Sequence, residues 1–254
     1  MALKLNQDNE YREVDGQKAP IFKEFSGTIW SHCYGGYIVQ MPLLIASGRT
    51  PMSFARVMQR RLDVRNAEAD VKTAWMDNRF DTADGNARHP DGKLKIVLDS
   101  KLLREITPQS PRNREGLTLA DGVYERLEGE EFTALDVEKY TEKWLTKKSA
   151  KANPFWKALA RGNQKLLNDF VDYIALEYQQ RFAETADDDN VEILGVFPGD
   201  KPKSPEMGGW FISSLGFSSE ALGWFDFGFG DDRLVGELSP EAQVAKNLEE
   251  TLKK

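Results

Sequence analysis

The residues best suited to chemistry lie in one short segment, residues 77–99, which is rich in carboxylates. The segment contains His89, one of only two histidines in the chain, together with Asp77, Asp81, Asp84, Asp91 and Asp99. Carboxylate oxygens bind hard divalent cations, and a neighbouring histidine can transfer protons. The pattern predicts either an oxygen-ligand metal site formed by Asp77, Asp81, Asp84 and Asp91, or a solvated acidic turn that precedes a strand over residues 94–98.

Two well-defined metal motifs do not fit this segment. An EF-hand loop needs oxygen ligands at alternating positions and an acid at the last one, but counting from Asp81 puts Gly85 and Gly92 at two of those positions. In a PD-(D/E)xK nuclease site, Asp91 and Asp99 would share one Mg²⁺, whereas a continuous strand would separate them by about 26 Å. A divalent metal therefore fits only an irregular site, and the sequence requires no cofactor.

A second candidate for catalysis is Cys33, the only cysteine, with His89 as its base. A thiol, an imidazole and an orienting carboxylate are the minimum set for thiol catalysis. The alternative is that Cys33 is a small buried hydrophobic residue. The chain has no GxSxG or GxxxxGK(S/T) motif, and its adjacent His32 and Cys33 lack the spacing of a structural zinc site. Both interpretations of Cys33 stay open.

The strongest candidate for a binding surface is a cluster of arginines that follows Arg49. Its members are Arg56, Arg60, Arg61 and Arg65, and Asp63 is the only acid among them. Four-residue spacing puts two pairs in adjacent rows of a predicted helix, which favours contact with phosphates. The alternative is a solvated face opposite the apolar side of that helix.

Three alternating aromatic residues, Phe225, Phe227 and Phe229, predict one face of a strand near the end of the chain. They can form part of the core or a platform that stacks bases or sugars. Because Asp226, Asp231 and Asp232 lie beside them, phosphate would be repelled. An exposed platform would therefore favour a protein partner.

Composition limits the class of protein. The chain has 254 residues, of which 40% are hydrophobic and 30% charged, and this balance favours a folded core over disorder. Its net charge of −7 argues against attraction of nucleic acid to the whole surface, although a local basic patch would still attract it. A single cysteine favours a reducing compartment, so we expect a cytoplasmic protein with neither export nor membrane insertion.

These patterns together predict an α+β fold with a mixed or antiparallel sheet packed against several helices. Helices are expected near residues 51–63, 133–148, 154–182 and 239–253, and the strands are expected in the N-terminal half and over residues 191–236. We expect one domain, 1–254, which can be divided into an α/β part (1–115), a helical part (116–185) and a β-rich part (186–254). The leading functional hypothesis is a binding or assembly protein whose partner is a protein, a second copy or a nucleic acid. The alternative is a hydrolase that uses the carboxylates from Asp77 to Asp91.

Overall fold

The structure is a computed structural model that describes most of the chain. The described residues are 11–14, 17–20, 23–24, 30–34, 36–113, 116–182, 191–215, 219–223 and 233–238, and for residues 11–34 only the backbone is described. The predicted aromatic platform at 225–229 and the predicted helix at 239–253 lie outside these residues.

The described strands form a separate hairpin and one large mixed sheet of 12 strands. The hairpin consists of β1 (Tyr11–Val14) and β2 (Gln17–Pro20). The sheet contains β3 (Lys23–Glu24), β4 (Trp30–Tyr34), β5 (Arg49–Pro51), β6 (Phe80–Arg88), β7 (Leu94–Val97), β8 (Leu117–Thr118), β9 (Glu130–Phe132), β10 (Lys143–Thr146), β11 (Glu192–Phe197), β12 (Glu206–Ile212), β13 (Ala221–Leu222) and β14 (Arg233–Leu238). Its main path runs β10-β11-β13-β12-β6-β14-β4-β3.

The centre of the sheet is β6, which pairs with β12 on one side and with β14 on the other. The pairing with β14 is parallel, and the end of β6 also pairs antiparallel with β7. Every residue of β6 is buried, because side chains pack on both faces of the sheet. The buried hydrophobic residues form two clusters, a larger and a smaller one. Adjacent residues of β14 point to opposite faces of the sheet, and Val235 belongs to the larger cluster whereas Leu234 belongs to the smaller one.

The helices cover the two faces of the sheet. They are α1 (Tyr37–Ala46), α2 (Phe54–Asp63), α3 (Ala69–Met76), α4 (Lys101–Arg104), α5 (Val123–Arg126), α6 (Ala134–Tyr140), α7 (Lys147–Ala152), α8 (Pro154–Leu159) and α9 (Gln164–Phe182). Residues of α2, α8 and α9 contribute to the larger core cluster, whereas residues of α1 and α4 contribute to the smaller one. None of the described helices combines the length and the apolar character that crossing a membrane requires.

Local capping explains where several helices begin. Thr133 and Asp136 form a complete capping box at the start of α6, as their spacing predicted. Asn153 accepts hydrogen bonds from the first two amides of α8, where Pro154 needs none. The helix expected near residues 51–63 begins only at Phe54, with Ser53 as its cap, because Thr50 and Pro51 are paired in β5.

The α+β prediction and the mixed sheet are confirmed, but several boundaries differ. The predicted helix at 133–148 ends at Tyr140 because Glu142 adopts a positive φ of 52°, after which the chain continues as β10. The predicted long helix at 154–182 is present as α8 and α9, separated where Arg161 and Gly162 both have positive φ. The N-terminal half, where strands were expected, also contains a helix, α1, which begins directly after Gly36.

Candidate functional site

The carboxylate-rich segment forms a buried strand and a tight turn. β6 ends at Arg88, and the chain reverses through residues 89–93 into β7. The turn is closed by the amide of His89, which donates to Lys93 O (3.0 Å), and by Gly92, whose φ of +92° suits glycine. The predicted solvated turn is therefore confined to residues 89–93, because pairing on both edges makes the polar residues before it a central strand.

The structure separates the four carboxylates that were predicted to bind a metal. Asp77 follows α3 and forms an ion pair with Arg181, whereas Asp91 lies in the turn beyond the other end of β6. Asp81 and Asp84 are both buried in β6, on either side of a register shift between β6 and β12. Asp77 and Asp91 are therefore not in one cluster with Asp81 and Asp84, and among the described residues no three His, Cys, Asp or Glu side chains are placed to hold a metal ion.

Asp84 has a structural environment in the centre of the protein. One of its oxygens accepts the amide of Phe54 at the start of α2 (2.7 Å), and the other accepts the amide of Asp99 (2.9 Å). Arg161 lies 3.4 Å from the second oxygen. Burial raises the pKa of Asp84, while the two amides and Arg161 oppose the increase. Asp84 therefore joins α2, the turn after β7 and the α8–α9 connection.

His89 and Asp91 lie together in the turn between β6 and β7. Asp91 Oδ1 is 2.8 Å from His89 Nδ1, and Asp91 Oδ2 is 2.8 Å from the Lys93 ammonium. The Lys93 contacts hold the pKa of Asp91 well below its usual range. The imidazole also packs against the ring of Tyr124, at 4.9 Å between centroids. His89 and Asp91, one predicted catalytic and one predicted metal-ligating residue, are thus in direct contact.

The predicted arginine surface does not act as one unit. Arg56 forms an ion pair with Glu237 (2.6 Å), and the guanidinium of Arg60 lies over the ring of Trp75, 5.4 Å from its centroid. Arg65 is exposed after the end of α2.

Arg61 is a correction to that prediction, because its side chain is completely buried. It donates hydrogen bonds to the carbonyl oxygens of Trp75 (3.0 Å), Asn78 (3.1 Å) and Ser213 (2.8 Å) and to the hydroxyl of Ser219 (3.1 Å). Burial lowers the pKa of Arg61 to about 9, so the guanidinium stays charged at neutral pH. Four of its five donors have acceptors in the core, three of them backbone carbonyl oxygens, so this side chain is not part of a phosphate-binding surface.

Cys33 lies in β4, opposite Leu234 of β14. Its side chain is outside the described part of the structure, so its proposed role as a nucleophile with His89 stays a prediction.

A cleft of roughly 280 Å³ opens beside the His89 turn. We call it the hairpin cleft. Three segments line it: the turn at 89–93, the face of α6 that carries Ala134, Val137 and Glu138, and the loop at 198–202. Leu94, Val137 and the two prolines of the loop supply apolar surface, while charged side chains stand around it. Small-molecule sites have this combination of apolar lining and a few polar groups, and this cleft is at the small end of their size range.

The loop at 198–202, which forms one wall of the hairpin cleft, is held in place by hydrogen bonds from buried polar side chains of β6. Asn86 Nδ2 donates to Pro198 O (2.8 Å), and Arg88 donates to Asp200 O (2.8 Å). Arg88 also forms a buried ion pair with Glu206 of β12. Sequence analysis missed these residues because their importance depends on pairing between β6 and a loop more than 100 positions away.

A second groove, of roughly 370 Å³, lies between the end of α2 and the start of α9. It contains Arg65, so one of the four predicted arginines does line a groove. Lys165 and Asp169 in the same groove already form an ion pair with each other. Because the groove also contains Asp63, it presents both charges and no clear preference for an anion.

Comparison with known proteins identifies a fold and no family. No protein-family model and no curated protein matches the chain. A solved structure that it resembles is described as accommodating massive sequence variation in Nanoarchaeota by the C-type lectin fold. The two superpose with a TM-score of 0.58 over 85% of this chain and 97% of the other, at 12% sequence identity. The chain has the C-type lectin fold. At this identity the likeness extends to the fold alone.

Proposed function

We propose that this protein is a binding protein that holds its ligand in the hairpin cleft. The observation that carries the proposal is the construction of the cleft, in which apolar surface from α6 and the loop at 198–202 is bordered by His89, Lys93 and Lys201. Its size suits a small organic molecule or one side chain of a larger partner.

The fold supports this proposal. The neighbouring structure is described as accommodating massive sequence variation by the C-type lectin fold. In this chain, a turn, one exposed helix face and a loop build the cleft, while β6 and β12 beneath them are buried. Exposed residues on such segments can differ without disturbing the sheet, and this is the usual basis for recognition on a constant scaffold.

The alternative, a hydrolase, has one observation in its favour, namely the contact between His89 and Asp91 at the mouth of the cleft. A carboxylate that orients an imidazole is a common part of acid–base sites. However, the described residues that line the cleft include no serine, threonine or cysteine, so a nucleophile would have to be water. Binding is therefore the function that we propose first.

A protein-observed NMR screen tests the binding proposal. Libraries of small organic fragments and of oligosaccharides would be added to the isotopically labelled protein, and shifted amides would be assigned. We expect ligands that shift residues 89–93, 134–138 and 198–202 together, and that lose affinity when Glu138→Lys and Lys201→Glu reverse two charges of the lining. Lys101→Glu on α4, which is exposed and outside the cleft, is the control. If no compound shifts these three segments, or if the control weakens binding equally, the proposal is wrong.

A further inference from the structure

The volume of the hairpin cleft favours one of the two kinds of ligand that fit it. The cleft has roughly 280 Å³, whereas sites that enclose a whole drug-sized molecule typically have about 300–1,000 Å³. A long charged side chain needs less room, because only its carbon stem has to be covered while its charged end reaches a polar group. The dimensions therefore favour a single side chain of a larger partner.

The charged side chains of the lining differ in what they already bind. Lys93 and Asp91 form an ion pair with each other (2.8 Å), and Arg88 forms one with the buried Glu206. Three charged groups of the lining have no ion pair among the described residues, namely Glu138, Asp200 and Lys201. Two of these three groups are carboxylates, one on the helix wall and one on the loop wall.

Further carboxylates stand close behind the lining. Glu142, at the start of β10, is near Asp200, and burial together with the charge of Asp200 raises the pKa of Glu142. Glu125 of α5 lies 4.0 Å from His89 Nε2. Negative charge therefore surrounds the cleft on the side of the loop and on the side of the turn.

The lysines of the neighbouring segments do not reverse this balance. Lys95, behind the turn, is buried and lies 3.5 Å from Glu131, so this pair adds no net charge. Three other lysines are near the walls in the sequence but do not line the cleft, namely Lys139, Lys143 and Lys203. Four carboxylates outside the lining outnumber them, namely Glu125, Asp136, Glu142 and Glu206. The local field thus favours a cation over an anion.

Apolar surface is available both inside the cleft and at its rim. Leu94, Val137 and the two prolines of the loop can cover a carbon stem. Outside the cleft, Leu135 is 76% exposed, and it lies three positions before Glu138 on α6, so the two side chains are neighbours on the helix surface. A small cation inside the cleft would leave Leu135 uncovered, whereas a polypeptide that crosses α6 would cover it.

We propose that the hairpin cleft binds an arginine side chain of a partner protein. Glu138 and Asp200 are the carboxylates available to its guanidinium. Arginine fits better than lysine, because its planar group of donors matches carboxylates and because protein interfaces are enriched in arginine and depleted of lysine. The inference rests on the proposed function, since it names the partner of the same cleft.

Matched peptides test the charge and the shape of the side chain separately. Acetyl-Ala-Leu-Arg-Leu-Ala-amide would be titrated into the isotopically labelled protein, next to peptides with lysine or citrulline in place of arginine. Citrulline keeps the shape of arginine and lacks its charge. We expect the arginine peptide to shift residues 89–93, 134–138 and 198–202, the lysine peptide to bind more weakly, and the citrulline peptide to bind about fivefold more weakly, as for the loss of one partly exposed ion pair.

Variants of the protein locate the contacts. Glu138→Gln and Asp200→Asn should each weaken binding of the arginine peptide about two- to fivefold and leave the citrulline peptide unaffected. Glu105→Gln removes the same charge from an exposed position outside the cleft and is the control. Leu135→Ala should weaken the arginine peptide but not N-acetyl-arginine methylamide, which is too short to reach the rim. The amide spectrum of each variant checks that the fold is intact.

Three results would overturn the proposal. They are equal affinity of the arginine and citrulline peptides, equal losses in Glu138→Gln and Glu105→Gln, and equal affinity of the arginine peptide and N-acetyl-arginine methylamide, which would favour a small guanidinium compound over a protein. The proposed function fails separately. A neutral or anionic ligand that shifts the three segments would reject the arginine and leave the binding function intact, whereas the absence of any ligand for the cleft would reject both.

Discussion

Asp84 offers the sharpest test of the structure, because the direction of its pKa shift predicts an unusual dependence of stability on pH. The carboxylate is completely buried and accepts the amides of Phe54 and Asp99. In Asp84→Asn the side-chain oxygen can accept one of those amides, whereas the NH₂ group faces the other. One buried amide then lacks an acceptor, so we expect the free energy of unfolding at neutral pH to fall by about 1–3 kcal/mol.

The pH dependence follows from the raised pKa. The folded protein binds the proton of Asp84 more tightly than the unfolded chain, whose carboxyl has the usual value of 3.8. The contribution of Asp84 to stability therefore rises as pH falls from above the folded pKa toward 3.8, and the variant has no such contribution. We expect the difference in unfolding free energy between wild type and Asp84→Asn to widen on acidification within this window.

Asp136→Asn is a control with the opposite sign. The Thr133 hydroxyl and amide hold the pKa of Asp136 below its usual value, so its contribution is present at neutral pH and is lost as pH falls through the lowered pKa. Urea unfolding followed by tryptophan fluorescence measures both differences from neutral pH down to below the usual carboxyl pKa of 3.8, because the contribution of Asp136 is lost only there. A difference for Asp84→Asn that narrows with acid, as for Asp136→Asn, would refute the conclusion that burial dominates the environment of Asp84.

Two arginines of α2 and one of β6 predict further outcomes. Arg61→Met removes the buried donors to three carbonyl oxygens and should lower the unfolding free energy by about 3–5 kcal/mol, whereas Arg56→Ala should cost at most about 1 kcal/mol because its ion pair is partly exposed. If urea unfolding showed equal decreases in unfolding free energy for Arg61→Met and Arg56→Ala, the assignment of Arg61 to the core and of Arg56 to the surface would be wrong. Arg88→Met should accelerate amide hydrogen exchange at residues 198–202 and leave α9 protected, since Arg88 holds the carbonyl of Asp200. Unchanged exchange in that loop would show that Arg88 does not fix the wall of the hairpin cleft.

Local signals explain which elements could be predicted from the sequence. The capping box at Thr133 and the Asn153-Pro154 pair each act within one turn, so the starts of α6 and α8 follow directly from neighbouring residues. The sequence did not predict where α6 ends, because its end depends on the positive φ of Glu142. The amide of Glu142 donates a hydrogen bond to Val196 O (2.8 Å) of β11. That partner lies more than 50 residues away, and no periodicity near Glu142 indicates it.

The sequence analysis did not predict the strand β6 because of its amino-acid composition. Asp, Asn and Gly are depleted in strands, and this strand contains Asp81, Asp84, Gly85 and Asn86 in close succession. Polar side chains of β6 form hydrogen bonds with residues that are far away in the sequence. Asp84 accepts the amide of Phe54, and Asn86 donates to the carbonyl oxygens of Pro198 and Gly223. The same long-range partners position the hairpin cleft, so the strand and the site were missed for one reason.

Both arginine and lysine side chains enter the core of this protein, and in each case backbone carbonyl oxygens accept their hydrogen bonds. Guanidinium is weakly hydrated and has several directed donors, so Arg61 and Arg88 can enter the core by binding backbone carbonyls. Ammonium is more compact and more strongly hydrated, but Lys95 is also buried and donates to the carbonyl oxygens of Tyr124 (3.1 Å), Glu125 (3.4 Å) and Leu127 (3.4 Å). A count of charges in the sequence ranked the arginine cluster first, but one of its four arginines, Arg61, is bound inside the core. A count of charges in a segment therefore does not tell how many of its cations remain at the surface.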